Sequence, residues 1–353
     1  MGDAVAETIK IAIAGPKTGP VTQYGDMQFI GAKQAIKDIN ARGGVDGKML
    51  EAKEYDDAAD PKQAVAVANK VINDGVKFVI GHMASSATQP ASDFYEDEGV
   101  IMITPAATSP EITARGYKLS FRTIGLDSAQ GPAAGAYIAD RVKPKTVAIL
   151  HDKQQYGEGL ATAVKQTLEG KNVKVAVFEG VNAGDKDFTS IIQKLKQNNV
   201  DFVYWGGYHP ELGLILRQAL EKGLKAGFMA GDACANDSIS QIAQNASEGL
   251  LVTTPVAFDE DPANKAIVEA IKADGKDPSG PYVFPSYSAV QLIADGIKAA
   301  GTSDDAERVA AEIHKGTFKT PTGDLSFDDQ GDLKSFRFAV YEWHVNKPKT
   351  PAF

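Results

Sequence analysis

Residues 49–82 read MLEAKEYDDAADPKQAVAVANKVINDGVKFVIGH and carry the architecture in miniature. MLEAKEY reads as a strand. DPKQAVAVANKVINDG follows as a helix, with Asp60 in cap position, Pro61 in the first turn and Gly75 at the end. VKFVIGH is a second strand. Apolar strands joined by a helical crossover pair in parallel, and parallel sheets are covered by helices on both faces.

The pattern extends in both directions. IKIAIAG reads as a buried strand ahead of it. From Tyr24 to Gly43 the apolar positions Phe29, Ile30, Ala32, Ala35, Ile36 and Ile39 recur at helical spacing. Downstream, a helix to about Gly99 precedes the strand VIMITP. The alternation then restarts with a helix from near Gln130 to Val142. TVAILHD, YGEGLATAVKQTLEGK, VKVAVFEG, DFTSIIQKLKQNN, VDFVYWGG, HPELGLILRQALEKG and AGFMAGD continue strand, helix, strand to the end of the run. Two such runs predict an α/β protein of two doubly wound parallel-sheet lobes. The last hundred residues differ. Helices at DPANKAIVEAIKADG, YSAVQLIADGIKAAG and SDDAERVAAEIHKG come nearly back to back, and a hairpin is expected around Asp329-Gln330-Gly331. No Pro- or Ser-rich linker separates the halves, so several crossing strands should join them.

Composition agrees and excludes other classes. At 353 residues the chain fits two domains on a prior of about 150 residues each. With 43% hydrophobic and 24% charged residues it has ample material for a core. A net charge of −9 argues against a nucleic-acid binder and against a grip on anionic membrane. The apolar runs fall far below the ~18 residues that span a bilayer. MGDAVAETIK lacks the apolar core of a signal peptide, which leaves a cytosolic chain or a mature export product with a new Met1. The single cysteine, Cys234, excludes an internal disulfide and an all-cysteine metal site. There is no GxxxxGK[ST], HExxH, CxxC or GxSxG, and no GxGxxG after a strand. His82, His151, His209, His314 and His344 are scattered. No cofactor and no metal is expected.

What remains is a set of polar groups at strand ends, where open α/β sheets bind their ligands. VKFVIGH runs into Met83-Ala84-Ser85, VIMITP into Ala106-Ala107-Thr108, VDFVYWGG into Tyr208, and AGFMAGD ends on Asp232. A serine at a helix start offers its hydroxyl and free N–H groups to an anion, and a carboxylate after an apolar strand offers itself to a cation. Alone, Ser85 reads as a helix cap and Asp232 as a turn residue. Together they describe a site for a zwitterion. Tyr24, Tyr156, Tyr208 and Tyr282 fall near strand-to-helix junctions and suit a pocket wall as well as core packing.

The stretches TGPVTQYGD, YDDAADPKQAVAVANKVINDGVKFVIGH, SSATQPASDFYEDEGVIMITPAATSPEITARGY, HDKQQYGEG, AGDKDF and FVYWGGYHPELG closely resemble bacterial periplasmic branched-chain amino acid binding proteins of ABC transporters. The resemblance covers nearly the whole chain. It implies the type I periplasmic binding fold, with lobes 1–125 plus 255–330 and 126–254 plus 331–353. The three hinge crossings would lie near Arg122–Asp127, Val252–Pro255 and Asp328–Ser335. It implies a monomeric receptor, not an enzyme, that closes over an aliphatic amino acid such as leucine, isoleucine or valine and presents it to a membrane permease.

By the same resemblance the α-carboxylate contacts fall on Ser85, Thr108 and Tyr208. The α-ammonium contacts fall on the Ala106 carbonyl, the Thr108 hydroxyl and Asp232. The side-chain pocket falls on Tyr24, Met83, Ala84, Tyr156 and Tyr282. The chain departs from the pattern in places. The family's disulfide cysteines match Ala58 and Ala84, so another tie must hold the first lobe. Asp232 stands where glutamate is expected and Tyr282 where phenylalanine is expected. Leu220 and Val256 replace basic residues. These departures leave open an alternative: an engineered variant with a changed ligand, or with Cys234 as the nucleophile of a designed esterase.

Overall fold

A computed structural model describes residues 8–345 and 347–352. The residues preceding Thr8, where the absence of a leader is read, lie outside them. The described residues divide into two compact units. The first holds the chain up to Gly125 and Ala257–Phe336, and the second holds Leu126–Val256 and the chain from Arg337. The chain passes between units three times. Pro255 and Val256 lie in the second unit and residues 331–336 in the first, the reverse of the sequence expectation. For the latter the reason is Asp332, whose carboxylate is bonded to Arg122 and Thr113 of the first unit.

The first unit opens with β1 (Thr8–Gly15), α1 (Thr22–Ala41), β2 (Met49–Asp56), α2 (Pro61–Asn73), β3 (Phe78–Gly81), α3 (Ser85–Asp97), β4 (Ile101–Thr104) and the short β5 (Ser120–Arg122). The strands form one parallel sheet in the order β2-β1-β3-β4-β5. In α2 the Asp60 carboxylate accepts from the Lys62 and Gln63 amides, both at 2.9 Å, a cap worth about 1 kcal/mol. Its buried residues Ala64, Val67, Ala68 and Val71 recur at helical spacing.

The second unit follows with α4 (Asp127–Tyr137), β6 (Val147–His151), α5 (Gln155–Gly170), β7 (Val175–Gly180), α6 (Thr189–Gln197), β8 (Phe202–Gly206), α7 (His209–Glu221), β9 (Gly227–Ala230), α8 (Ser238–Ala243) and β10 (Leu251–Pro255). The chain returns to the first unit for α9 (Lys265–Ala273), α10 (Val283–Ala300), α11 (Ala306–Lys315), β11 (Phe318–Thr320) and β12 (Gly323–Leu325). It ends in the second with β13 (Phe338–His344) and β14 (Lys347–Pro351). That unit's sheet runs β14-β13-β10-β9-β8-β6-β7, parallel from β10 to β7 and antiparallel at β13 and β14. Both sheets are therefore doubly wound, as expected.

In the first unit α1, α10 and α11 pack on the sheet. Ile11, Ile13, Ile80, Ile103 and Phe121 meet Ala35, Ile39, Leu292, Ile293, Val309 and Ile313 in one apolar cluster. Burying each such side chain is worth about 1.5–3 kcal/mol.

Three expectations are corrected. The helix from Gln130 to Val142 begins at Asp127, and its last turn, Ile138–Val142, is a π-helix that ends on Lys143 at φ +53°. The hairpin at Asp329-Gln330-Gly331 reduces to a single bridge between Phe327 and Leu333, and antiparallel hairpins form on either side of it, at β11–β12 and β13–β14. The last strand, KPKTP, reads as breakers, but an edge strand has one row of unused N–H groups and tolerates proline. Finally, Tyr282 precedes α10 with α9 before it and no strand between them.

The tie that the alanines at 58 and 84 cannot supply is found beside them. His82 Nδ1 lies 2.6 Å from Asp57 Oδ2, and both side chains are fully buried. The other Asp57 oxygen accepts from the Ala59 amide at 2.8 Å, and His82 Nε2 lies 3.1 Å from the Tyr95 hydroxyl. This chain joins the ends of β2 and β3 to α3.

Candidate functional site

Apart from Tyr282, the candidate site residues follow the carboxyl ends of strands, and each unit holds its own set. In the first unit Met83, Ala84 and Ser85 follow β3. Ala84, in extended conformation, caps α3, so Ser85 is the first helical residue and not the cap. Its hydroxyl instead accepts from the Ser109 amide at 3.4 Å, which joins it to the loop after β4. That loop carries Ala106 and Thr108, both buried. The Thr108 hydroxyl is buried and has no hydrogen-bond partner among the described residues. Tyr24, in the first turn of α1, stacks on Tyr282 at 5.2 Å between ring centroids.

Arg122 holds this loop in place, and sequence reasoning did not assign it to the site. It is fully buried at the end of β5. Its guanidinium donates to the carbonyls of Ala107 (2.6 Å) and Ser109 (3.2 Å), on either side of Thr108. It also donates to Asp332 and to the Thr113 hydroxyl, which itself donates to Asp332. An arginine directly after buried Phe121 in the short strand β5 was the available signal.

In the second unit Tyr156, Tyr208 and Asp232 come together. Tyr156 follows β6 and Tyr208 is the residue before α7; their rings lie 5.5 Å apart. Asp232 opens the turn after β9 and is 1% exposed. Its Oδ1 accepts from the Tyr156 hydroxyl at 2.9 Å and from Gln130 Nε2 at 3.0 Å. The bland reading of Asp232 as a turn residue therefore understates it: its carboxylate is gripped by buried donors. A buried carboxylate so placed suits a cation.

Cys234 follows in the same turn and does not have the surroundings of a nucleophile. It is fully buried, and its thiol donates to the Gly207 carbonyl at 3.4 Å. Burial pushes its pKa well above the usual range, and Asp232, Glu211 and Asp152 push it further. A nucleophilic cysteine needs the opposite shift. In native protein at pH 8 the thiol should resist a thiol-specific chromogenic disulfide and react once guanidinium unfolds the chain. Rapid reaction of the native protein would contradict this.

Asp152, after β6, is a second buried acid that the sequence reading passed over, although it ends an apolar strand as Asp232 does. Burial pushes its pKa up to about 7; the Gln154 amide, which its carboxylate accepts at 2.9 Å, opposes this, and Glu211 adds to the rise. A carboxyl whose pKa is raised on folding favours the folded state when protonated. Its contribution is fully present below about pH 4 and is lost as pH rises through about 7. Asp152→Asn keeps an acceptor for the Gln154 amide and removes the charge. It should stabilise the second unit at pH 8 by about 2–4 kcal/mol and flatten the decline between pH 5 and 8. Urea midpoints at the two pH values measure this; an unchanged slope in the variant would contradict it.

Among the described residues no group of three or more His, Cys, Asp or Glu could hold a metal, and no helix is long and apolar enough to cross a membrane. Two doubly wound units with polar groups at their strand ends are the features of a two-lobed ligand-binding protein. The family model of the periplasmic binding proteins matches residues 8–347, so the chain belongs to that family. It is 64% identical over 98% of its length, and 92% of the relative's, to the leucine-, isoleucine-, valine-, threonine- and alanine-binding protein of Pseudomonas aeruginosa. Among solved structures it resembles a leucine binding protein of Thermotoga maritima, with a TM-score of 0.89 at 27% identity over 98% of both chains. It also resembles the branched-chain amino acid transporter substrate binding protein of Streptococcus pneumoniae in complex with isoleucine. There the TM-score is 0.86 at 26% identity, over 98% of this chain and 99% of that one.

Proposed function

We propose that this chain is the substrate-binding receptor of an ABC transporter for branched-chain aliphatic amino acids, working as a monomer in the periplasm and delivering its ligand to a membrane permease. The observation that carries the reading is the burial of Thr108 and Asp232 at the carboxyl ends of parallel strands, in a chain 64% identical to a protein named for binding leucine, isoleucine and valine. Ser85, Thr108 and Tyr208 take the ligand carboxylate. The Ala106 carbonyl, the Thr108 hydroxyl and Asp232 take the ammonium. Tyr24, Met83, Ala84, Tyr156 and Tyr282 surround the side chain. Ligand binding shifts the receptor's conformational population by the difference in the ligand's affinity for the two states.

Calorimetric titration with leucine, isoleucine, valine, alanine and γ-aminobutyrate tests the reading. The three branched-chain amino acids should give saturable one-site heats. Heat from none of the five would overturn the reading, and a response to γ-aminobutyrate alone would replace the ligand class.

A further inference from the structure

The second unit contains a buried amide that the reading above does not use. Gln130, in the first turn of α4, is fully buried and has all four of its hydrogen-bonding positions filled. Its Oε1 accepts from the Asp232 amide at 3.0 Å and from the Thr253 hydroxyl at 2.8 Å. Its Nε2 donates to Asp232 Oδ1 at 3.0 Å and to Asp127 Oδ1 at 3.2 Å. The orientation of the amide follows from its partners, since the Asp232 backbone N–H can only donate and therefore meets the amide oxygen. Backbone and side chain of Asp232 are thus gripped by one residue.

The other two partners stand at the chain crossings. Asp127 lies just past the first, and Thr253 is on β10, which leads to the second. The turn is pressed against this clip. A Cβ on Gly231 would come 2.4 Å from the Tyr156 hydroxyl and 3.1 Å from Gln130 Oε1, so a larger residue before Asp232 would push on the groups that hold it.

We infer that Gln130 is a positioning residue for ligand recognition: it aims the Asp232 carboxylate at the ligand ammonium and fastens that turn to the two crossing segments. The inference rests on the reading of Asp232 as the ammonium contact. Gln130 itself need not touch the ligand.

The test compares leucine with 4-methylpentanoate, which keeps the side chain and carboxylate and lacks the ammonium. Wild-type protein should prefer leucine by roughly a hundredfold or more, as expected for a buried charge that gains its partner. In Gln130→Met, leucine affinity should fall about ten- to a hundredfold, the range for losing charge-assisted hydrogen bonds, while affinity for 4-methylpentanoate stays within about threefold. A variant that is only less well packed would lose affinity for both ligands alike, and that result overturns the inference, as does an unchanged ratio. Should Gln130→Met not fold, Thr253→Val removes one donor to Oε1 and should move the same ratio by about threefold or more; an unmoved ratio there overturns the inference equally. A wild-type protein that binds both ligands equally overturns the reading of Asp232 and this inference with it. A selective wild type whose selectivity survives in Gln130→Met overturns this inference alone.

Discussion

Asp232→Asn should cost two to three decades or more of leucine affinity. The side chain keeps its size, and its oxygen can still accept from Tyr156 and Gln130, which now hold Asp232 Oδ1 at 2.9 and 3.0 Å. The turn is therefore retained and only the charge is lost. A ligand ammonium taken out of water without its counter-charge is a buried unpaired ion, and breaking such a pair costs about 3–5 kcal/mol. Calorimetry on the folded variant measures the change. Affinity within about threefold of wild type would show that the ammonium is neutralised elsewhere.

The second large effect falls on stability. Arg122→Met removes the guanidinium that joins Asp332, Thr113 and the carbonyls flanking Thr108. Asp332 is 4% exposed and would stay buried with only the Thr113 hydroxyl left as a donor from this group. The expected loss is about 3–5 kcal/mol in the first unit, or roughly ten degrees of melting temperature. The loop bearing Thr108 loses two of its anchors, so ligand affinity should fall as well. Thermal unfolding followed by calorimetry separates the units if they melt independently. A first unit that melts within about two degrees of wild type would contradict the role assigned to Arg122.

Much of this was legible in the sequence, because the signals were local. The cap at Asp60, the apolar strands and the spacing in α1 and α2 each follow from neighbouring residues, and they suffice for two doubly wound sheets. The candidate polar residues, Ser85, Thr108, Tyr208 and Asp232, stood out because open α/β sheets bind ligands at the carboxyl ends of their strands. What escaped were partners distant in sequence. Gln130 sits in an unremarkable helix start, DSAQG, and only the fold brings it to Asp232. The tie of His82 to Asp57 was sought, as something that must take the place of a bridge at Ala58 and Ala84, but its residues could not be named from spacing. The strand β14 was hidden by its prolines, and the π turn ending at Val142 has no pattern of its own. The serine at 85 was read as a cap because serine usually caps; here an alanine in extended conformation precedes the helix and leaves the hydroxyl for the neighbouring loop.

A crystal structure of the leucine complex tests the account most directly. The expected density is one amino acid whose ammonium lies within about 3 Å of the Asp232 carboxylate and the Thr108 hydroxyl, with its carboxylate on Ser85, Thr108 and Tyr208. Leucine bound away from Asp232, or with its ammonium facing solvent, would contradict it.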